Sequence, residues 1–516
     1  MDCNLYIINN IMKILTILRY YYFYNLTEHP RFLTGNHLYF IDFKDSLVLS
    51  YYRIFIFNLG ERIMHDLGNT LSIFFCIPFI GVLLSIAIFP VVKPEFWEKR
   101  QGLVMLIWSL AFLIPFAVAH GFSTMGEQFL EAIIGDYLTF IVLLFGLFCV
   151  AGNITVKGNL QGSPKVNLII ILIGTALASW IGTTGASMVL IRPLLRANSW
   201  RKRKTHLPIF FIFLVSNIGG ALTPVGDPPL FMGFMRGVPF FWSFHVFPIW
   251  IINVIILLLL SYLVDKKEYK KDWNEGLRPP EVTDPSPIRL GGTHNIVFLG
   301  VIVFAVILSG ILPNVPPFDG AIHIYGEVHL TYAAIIEVIM ILIAAWLSFK
   351  TTQKEVRDNN EFTWGPIKEV AILFLGIFIT MIPALLILKA KGGELGLTQP
   401  WQLFWVTGAM SSFLDNTPTY LVFLTTASTL GATSGVLTTL GYVSPILLIA
   451  ISCGAVFMGA NTYIGNAPNF MVKAIAEESG VKMPSFGGYL AWSGRFLIPV
   501  FILDTGLLFL LEHFMY

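Results

Sequence analysis

Asn217-Ile-Gly-Gly-Ala-Leu-Thr-Pro-Val-Gly-Asp-Pro-Pro-Leu230 and Met458-Gly-Ala-Asn-Thr-Tyr-Ile-Gly-Asn-Ala-Pro-Asn469 interrupt two otherwise apolar regions of the chain. Both contain the frame Thr-x-x-Gly-(Asp/Asn)-x-Pro, at Thr223 to Pro229 and Thr462 to Pro468. Glycine and proline leave backbone amides and carbonyls that hydrocarbon cannot satisfy, so such backbone survives at membrane depth only where it lines a site or cavity. Broken helices in matching places of two halves are the sequence mark of a carrier's binding site.

The surrounding composition supplies the membrane. Of 516 residues, 55% are hydrophobic and only 12% charged, against about a quarter charged in soluble domains. The net charge of +2 excludes little, because most basic residues lie in short loops. Cys3, Cys76, Cys149 and Cys453 are scattered and suggest neither a disulfide framework nor a metal site. The first 63 residues, crowded with Tyr, Phe, Asn and Ile, never reach a clean apolar span, and Met64 stands just before the first strong one. They read as an extension outside the mature protein, with an amphipathic leader as the alternative.

A membrane helix needs about 20 apolar residues. The expected spans are 70–92, 101–120, 132–152, 243–264, 293–312, 329–349, 366–388 and 488–512. Regions 166–196, 208–237, 401–431 and 443–475 are apolar but interrupted by polar residues. Basic loops mark the cytoplasmic side: Lys93, Lys99 and Arg100, then Lys157 and Lys165, then Arg201 to Lys204. Segment 166–196 therefore begins and ends inside, and reads as a re-entrant hairpin with its tip at Gly182-Thr-Thr-Gly185. By the same count 401–431 is a hairpin entering from outside, with its tip at Asp415-Asn-Thr-Pro418.

The fold class expected is an all-α polytopic membrane protein built from two inverted-topology repeats, 64–264 and 292–516, joined by a cytoplasmic linker at 265–291. The hairpin tips lie 233 positions apart (182 to 415) and the broken helices 239 (223 to 462), and near-equal offsets favour a duplication. The Asp-Asn-Thr-Pro tip and the Thr-Pro-Val-Gly-Asp-Pro-Pro segment resemble the ion transporter superfamily over roughly 70–512, in its citrate transporter and NhaD-type sodium/proton antiporter branches. That resemblance implies hairpin tips and broken helices meeting at mid-membrane, and a homodimer. The pair Thr183-Thr184 stands where Asn416-Thr417 stands in the second tip, a departure from the Asn-Thr pair of related carriers that leaves the second half better furnished for a cation.

Asp415 and Asp227 are the residues expected to carry the chemistry. A carboxylate near the bilayer centre costs about 2.5–3.5 kcal/mol on the lenient insertion scale, so it is functional by default. Thr223, Asn416, Thr417, Thr183, Thr184, Asn461, Thr462 and Asn466, with carbonyls freed at Gly226 and Gly465, supply the hard oxygen ligands a small cation prefers. Asp227 also precedes Pro228 and can cap the half-helix that starts there, a role compatible with ion binding. Glu337 and Asp504 lie within spans and are expected to relay protons or to pair within the bundle. Arg192 is either a counter-charge or a structural partner.

The function expected is secondary transport: Na⁺/H⁺ antiport at mid-membrane aspartates, with Na⁺- or H⁺-coupled citrate or dicarboxylate transport as the alternative, through half-helix N-termini at Pro228 and Asn466. The setting is a bacterial inner membrane, and the partners are Na⁺, H⁺ and lipid. No cofactor, resident metal or nucleic acid is expected. No P-loop, His-Glu-x-x-His pair or Gly-x-Ser-x-Gly turn is present, which weighs against an enzyme.

Overall fold

The computed structural model describes residues 67–158, 160–280, 289–326 and 328–515; the reading of residues 1–63 as an extension falls outside them. Among the described residues eight helices are long and apolar enough to cross a membrane, and a bent pair makes a ninth span. The protein is an all-α, multi-pass integral membrane protein. Its helices are α1 (Ile77–Val92), α2 (Pro94–His120), α3 (Phe122–Leu130), α4 (Leu138–Gly152), α5 (Pro164–Ile181), α6 (Thr183–Ala197), α7 (His206–Leu214), α8 (Pro228–Met235) and α9 (Phe247–Asn274) in the first half. The second half holds α10 (Asn295–Ile311), α11 (Tyr332–Thr351), α12 (Lys354–Asn359), α13 (Gly365–Lys391), α14 (Pro400–Phe413), α15 (Asn416–Ser428), α16 (Pro445–Met458), α17 (Ala467–Glu478), α18 (Phe486–Phe496) and α19 (Ile498–Met515).

The hairpin at 166–196 is present as α5 and α6. Gly162 N–H donates to the Ala197 carbonyl at 2.9 Å, and Asn167 and Asn198 exchange amide bonds, so the chain leaves where it entered. Gly182 makes the reversal at φ 78°, a left-handed conformation glycine adopts without steric cost. The second hairpin is α14 and α15, turned at Leu414 and Asp415, both in extended backbone.

Two groups of helices emerge from the packing. In one, α2 lies on α13 and α11 lies on α4, while α1 pairs with α2 and α10 with α11. In the other, α6 packs on α17 and α15 on α8, so each hairpin's second arm rests on the half-helix of the opposite half. The groups touch where α4 meets α6 and where α13 meets α15.

Several boundaries differ from the sequence reading. The span expected over 488–512 is broken between α18 and α19 with a 43° bend. Pro499 explains it: proline has no N–H to give the preceding turn, and its ring clashes with that turn. The linker expected from 265 begins later, because α9 continues to Asn274. Its extension is held by charge: Arg201, fully buried at the side chain, bonds Asp265 at 2.5 Å and Asp272 at 3.4 Å. Just beyond the helix, hydrogen bonding to Arg203 holds the Glu275 carboxyl below its ordinary range. The span expected over 132–152 starts at Phe122 and contains a π-helical turn, Glu131–Tyr137. Three short two-stranded ladders, unanticipated, close the loops: β1 (Thr155–Lys157) with β2 (Arg289–Gly291), β3 (Ala321–Tyr325) with β4 (Val328–Thr331), and β5 (Val436–Thr438) with β6 (Gly441–Val443).

Candidate ion-coupling site

Both broken helices stop in the same way. After α7 a 3₁₀ turn over Ile218–Leu222 gives way to extended Thr223 (φ −141°, ψ 158°), and after α16 the turn Gly459–Asn461 gives way to Thr462 (φ −137°, ψ 168°). The Thr223 hydroxyl donates to the Ser179 carbonyl, and the Thr462 hydroxyl to that of Ser412. The Ser179 hydroxyl donates to the Gly219 carbonyl, and the Ser412 hydroxyl to that of Met458. Each break is therefore stitched to its own hairpin by equivalent bonds, at the offsets read from the sequence. Gly226 and Gly465 allow the close crossing. A Cβ there would lie 2.2 Å from the Gly220 carbonyl oxygen and 2.5 Å from that of Gly459, respectively.

The next residues, Asp227 and Asn466, are extended at φ −144° and −153° and stand at the N-cap of α8 and α17. Neither side chain caps its helix. The frame explains why. An N-cap side chain accepts from the N–H of the second or third helical residue. Here the second residue is Pro229 or Pro468, which has no N–H. The third, Leu230 or Asn469, donates to the cap's own carbonyl. The side chains of Asp227 and Asn466 are thus left free to turn elsewhere.

They turn toward each other. Asp227, 1% exposed, accepts at Oδ1 from the Thr183 hydroxyl (3.0 Å) and from Asn466 Nδ2 (3.2 Å). Its Oδ2 accepts from Asn416 Nδ2 at 2.7 Å. One residue from each of the two hairpins and two breaks meets at this carboxylate. Thr183 N–H also donates to the Gly226 carbonyl at 2.9 Å, which fixes the first tip against the first break.

The other expected residues are distributed around this centre. Asp415 is half-buried and takes the role considered for Asp227: it caps α15, accepting from Thr417 N–H at 2.9 Å. The second helical residue there is a threonine, so the donor exists. Thr417 Oγ1 lies 3.4 Å from Asn416 Oδ1 and braces that amide. Asn461 donates to the Ser412 hydroxyl at 2.9 Å. Thr184 lines an adjoining cavity of about 80 Å³, with Gly182, Pro228, Phe231, Ala467 and Met471 among its walls. Three residues lie elsewhere. Arg192 pairs with Glu361 at 2.9 Å, Glu337 is buried on α11, and Asp504 bonds Asn253.

Asn217 and Asn469, at the two ends of the quoted stretches, were not assigned from sequence. Asn217 Nδ2 donates to Asn469 Oδ1 at 2.7 Å, and Asn466 Nδ2 lies 3.3 Å from Asn217 Oδ1. Asn469 also donates to the carbonyls of Gly459 and Thr462. They tie one break to the other. Both sit at breaks inside apolar segments, which was the available signal.

A multi-pass helical membrane protein with a buried polar centre formed by hairpin tips and broken helices is a secondary transporter in architecture. The chain belongs to the family described as putative citrate transport, whose model matches residues 68–510. No curated protein matches the chain.

Proposed function

We propose that the protein is a secondary Na⁺/H⁺ antiporter, in which Na⁺ and a proton occupy Asp227 by turns. The observation that carries this reading is the company Asp227 keeps. All its bonded partners are neutral, and it takes part in no ion pair among the described residues. A bare carboxylate in a low-dielectric interior is costly unless a proton or a cation neutralises it. Threonine and asparagine suit both occupants. An amide offers its N–H to the bare carboxylate and, turned over, its carbonyl to an acid proton or to Na⁺.

The two halves, 64–264 and 292–516, act as inverted repeats. The matched hydrogen bonds and the reciprocal packing of α6 on α17 and α15 on α8 support this. Transport follows when the hairpin bundle moves against α1, α2, α4, α10, α11 and α13, in a bacterial inner membrane and as a homodimer.

Coupled citrate transport is the second reading. The family description favours it, as do the N-termini of α6, α8 and α17 at the cavity, where helix dipoles attract an anion. Against it, the cavity lining holds no lysine or arginine to balance a polycarboxylate beside Asp227.

Proteoliposomes separate the two. Added Na⁺ is expected to dissipate an imposed pH gradient, and Asp227→Asn to abolish the response. Accumulation of labelled citrate with no Na⁺-driven proton movement would overturn the antiport reading.

A further inference from the structure

A second polar pair lies inside the membrane region, away from Asp227. Asp504 on α19 and Asn253 on α9 are both completely buried. Asn253 Nδ2 donates to Asp504 Oδ1 at 2.6 Å and to the Ile249 carbonyl at 2.9 Å. Asp504 Oδ2 and Asn253 Oδ1 are buried with no partner among the described residues. Both are acceptors, so neither can satisfy the other. One proton supplies the donor that both lack: on Asp504 Oδ2 and given to Asn253 Oδ1, it would close an acid–amide ring.

The groups facing Asp504 leave no other source of balance. Packed against α19, α9 contributes Asn253, α16 brings the Cys453 thiol, α14 brings Trp405, whose indole N–H donates to Thr505, and α18 brings Arg495, which is exposed and lies over the Phe496 ring. No ion pair among the described residues includes Asp504. The pair is also linked to the coupling site. One helical turn before Asn253, Trp250 Nε1 donates to the Ile218 carbonyl at 2.8 Å, where the first broken helix begins to unwind.

We infer that Asp504, paired with Asn253, is a second proton-carrying site that loads and releases its proton during the transport cycle. This rests on the reading of the protein as a proton-coupled carrier, and it predicts more than one proton per transported ion.

The test measures proton and Na⁺ fluxes together in proteoliposomes of the full chain. Asp504→Asn is expected to lower the proton-to-Na⁺ ratio by one proton. An unchanged ratio would mean that Asp504 is a structural acid, and would overturn the inference. If the wild type moves no protons against Na⁺, the antiport reading fails, and infrared spectroscopy decides this one independently. The difference spectrum between wild type and Asp504→Asn should show one protonated-acid carbonyl band that belongs to Asp504, and turnover with whichever substrate is transported should alter that band. A band that is missing, or that turnover leaves unaltered, refutes the inference. Should Asp504→Asn fail to fold, Asn253→Leu removes the ring partner and must shift that band; a band left in place refutes the inference equally.

Discussion

At the scale of single residues, two aspartates that look alike in sequence have exchanged roles. Asp415 precedes a helix whose second residue, Thr417, has an N–H to offer, so its carboxylate caps. Asp227 precedes Pro228 and Pro229, finds no such donor and turns into the bundle. Asparagine caps nearly as well as aspartate, so Asp415→Asn is expected to keep both fold and flux, whereas Asp415→Ala lowers stability by about 1 kcal/mol. Thermal unfolding in detergent measures this. Asp227→Asn is expected to fold, since its neighbours can turn their amides, yet to lose coupled flux entirely. Equal transport by wild type and Asp227→Asn would end the proposal for this site. Thr183, Asp227, Asn416 and Asn466, which meet at one carboxylate, were all legible in the sequence; Asn217 and Asn469, which tie the breaks together, were not. Which aspartate meets the other three side chains follows from the proline at the second helical position after Asp227, which removes the N–H that Thr417 gives Asp415.

At the scale of elements, matching glycines hold each break against its own 3₁₀ turn. Gly226→Ala and Gly465→Ala each force a Cβ onto a backbone oxygen, and overpacking of this kind costs about 1–3 kcal/mol or more where backbone must shift. The two substitutions are expected to lower the melting temperature to a similar extent. A large loss for one and none for the other would argue against equivalent breaks. A second element contact crosses between the helix groups. Arg236, at the end of α8, bonds Asp136 at 2.7 Å, and Asp136 sits in the π-helical turn before α4. Single π turns frequently mark functional positions. Arg236→Gln leaves the buried Asp136 without its partner, at a cost of up to about 3 kcal/mol. Adding Asp136→Asn should restore most of that stability, and a double-mutant cycle checks it. Neither the π turn nor the bend before Pro499 was read from sequence. Hydropathy reports only the apolar content of a segment, which a bend or an extra residue per turn leaves unchanged.

For the whole molecule, the threading of the hairpins is the decisive quantity. In a variant lacking Cys3, Cys76, Cys149 and Cys453, a cysteine at Ser163, at the base of the first hairpin, is expected to react with an impermeant thiol reagent only from the cytoplasmic side. One at Gly396, before α14, is expected to react only from the opposite side. Labelling of both from one face would rule out the inverted arrangement. Low charge density and apolar spans sufficed for the class and for seven of the eight long helices; the eighth is α5, the first arm of a hairpin, and the span read over 488–512 is the bent pair. The extent of α9 was missed because its last turns are charged, and of those charges Asp265 and Asp272 are buried against Arg201, a partner 64 residues away from Asp265.

The sequence alone determined that this chain lives in a bilayer and that four interrupted segments, in two matched pairs, would not be ordinary spans. It determined this because hydrocarbon imposes one rule everywhere: backbone polar groups must be satisfied locally. The tertiary structure decided which side chains meet. Thr183, Asp227, Asn416 and Asn466 come together across up to 283 positions, and only the crossing of the four elements tells a carboxylate which donors lie within reach.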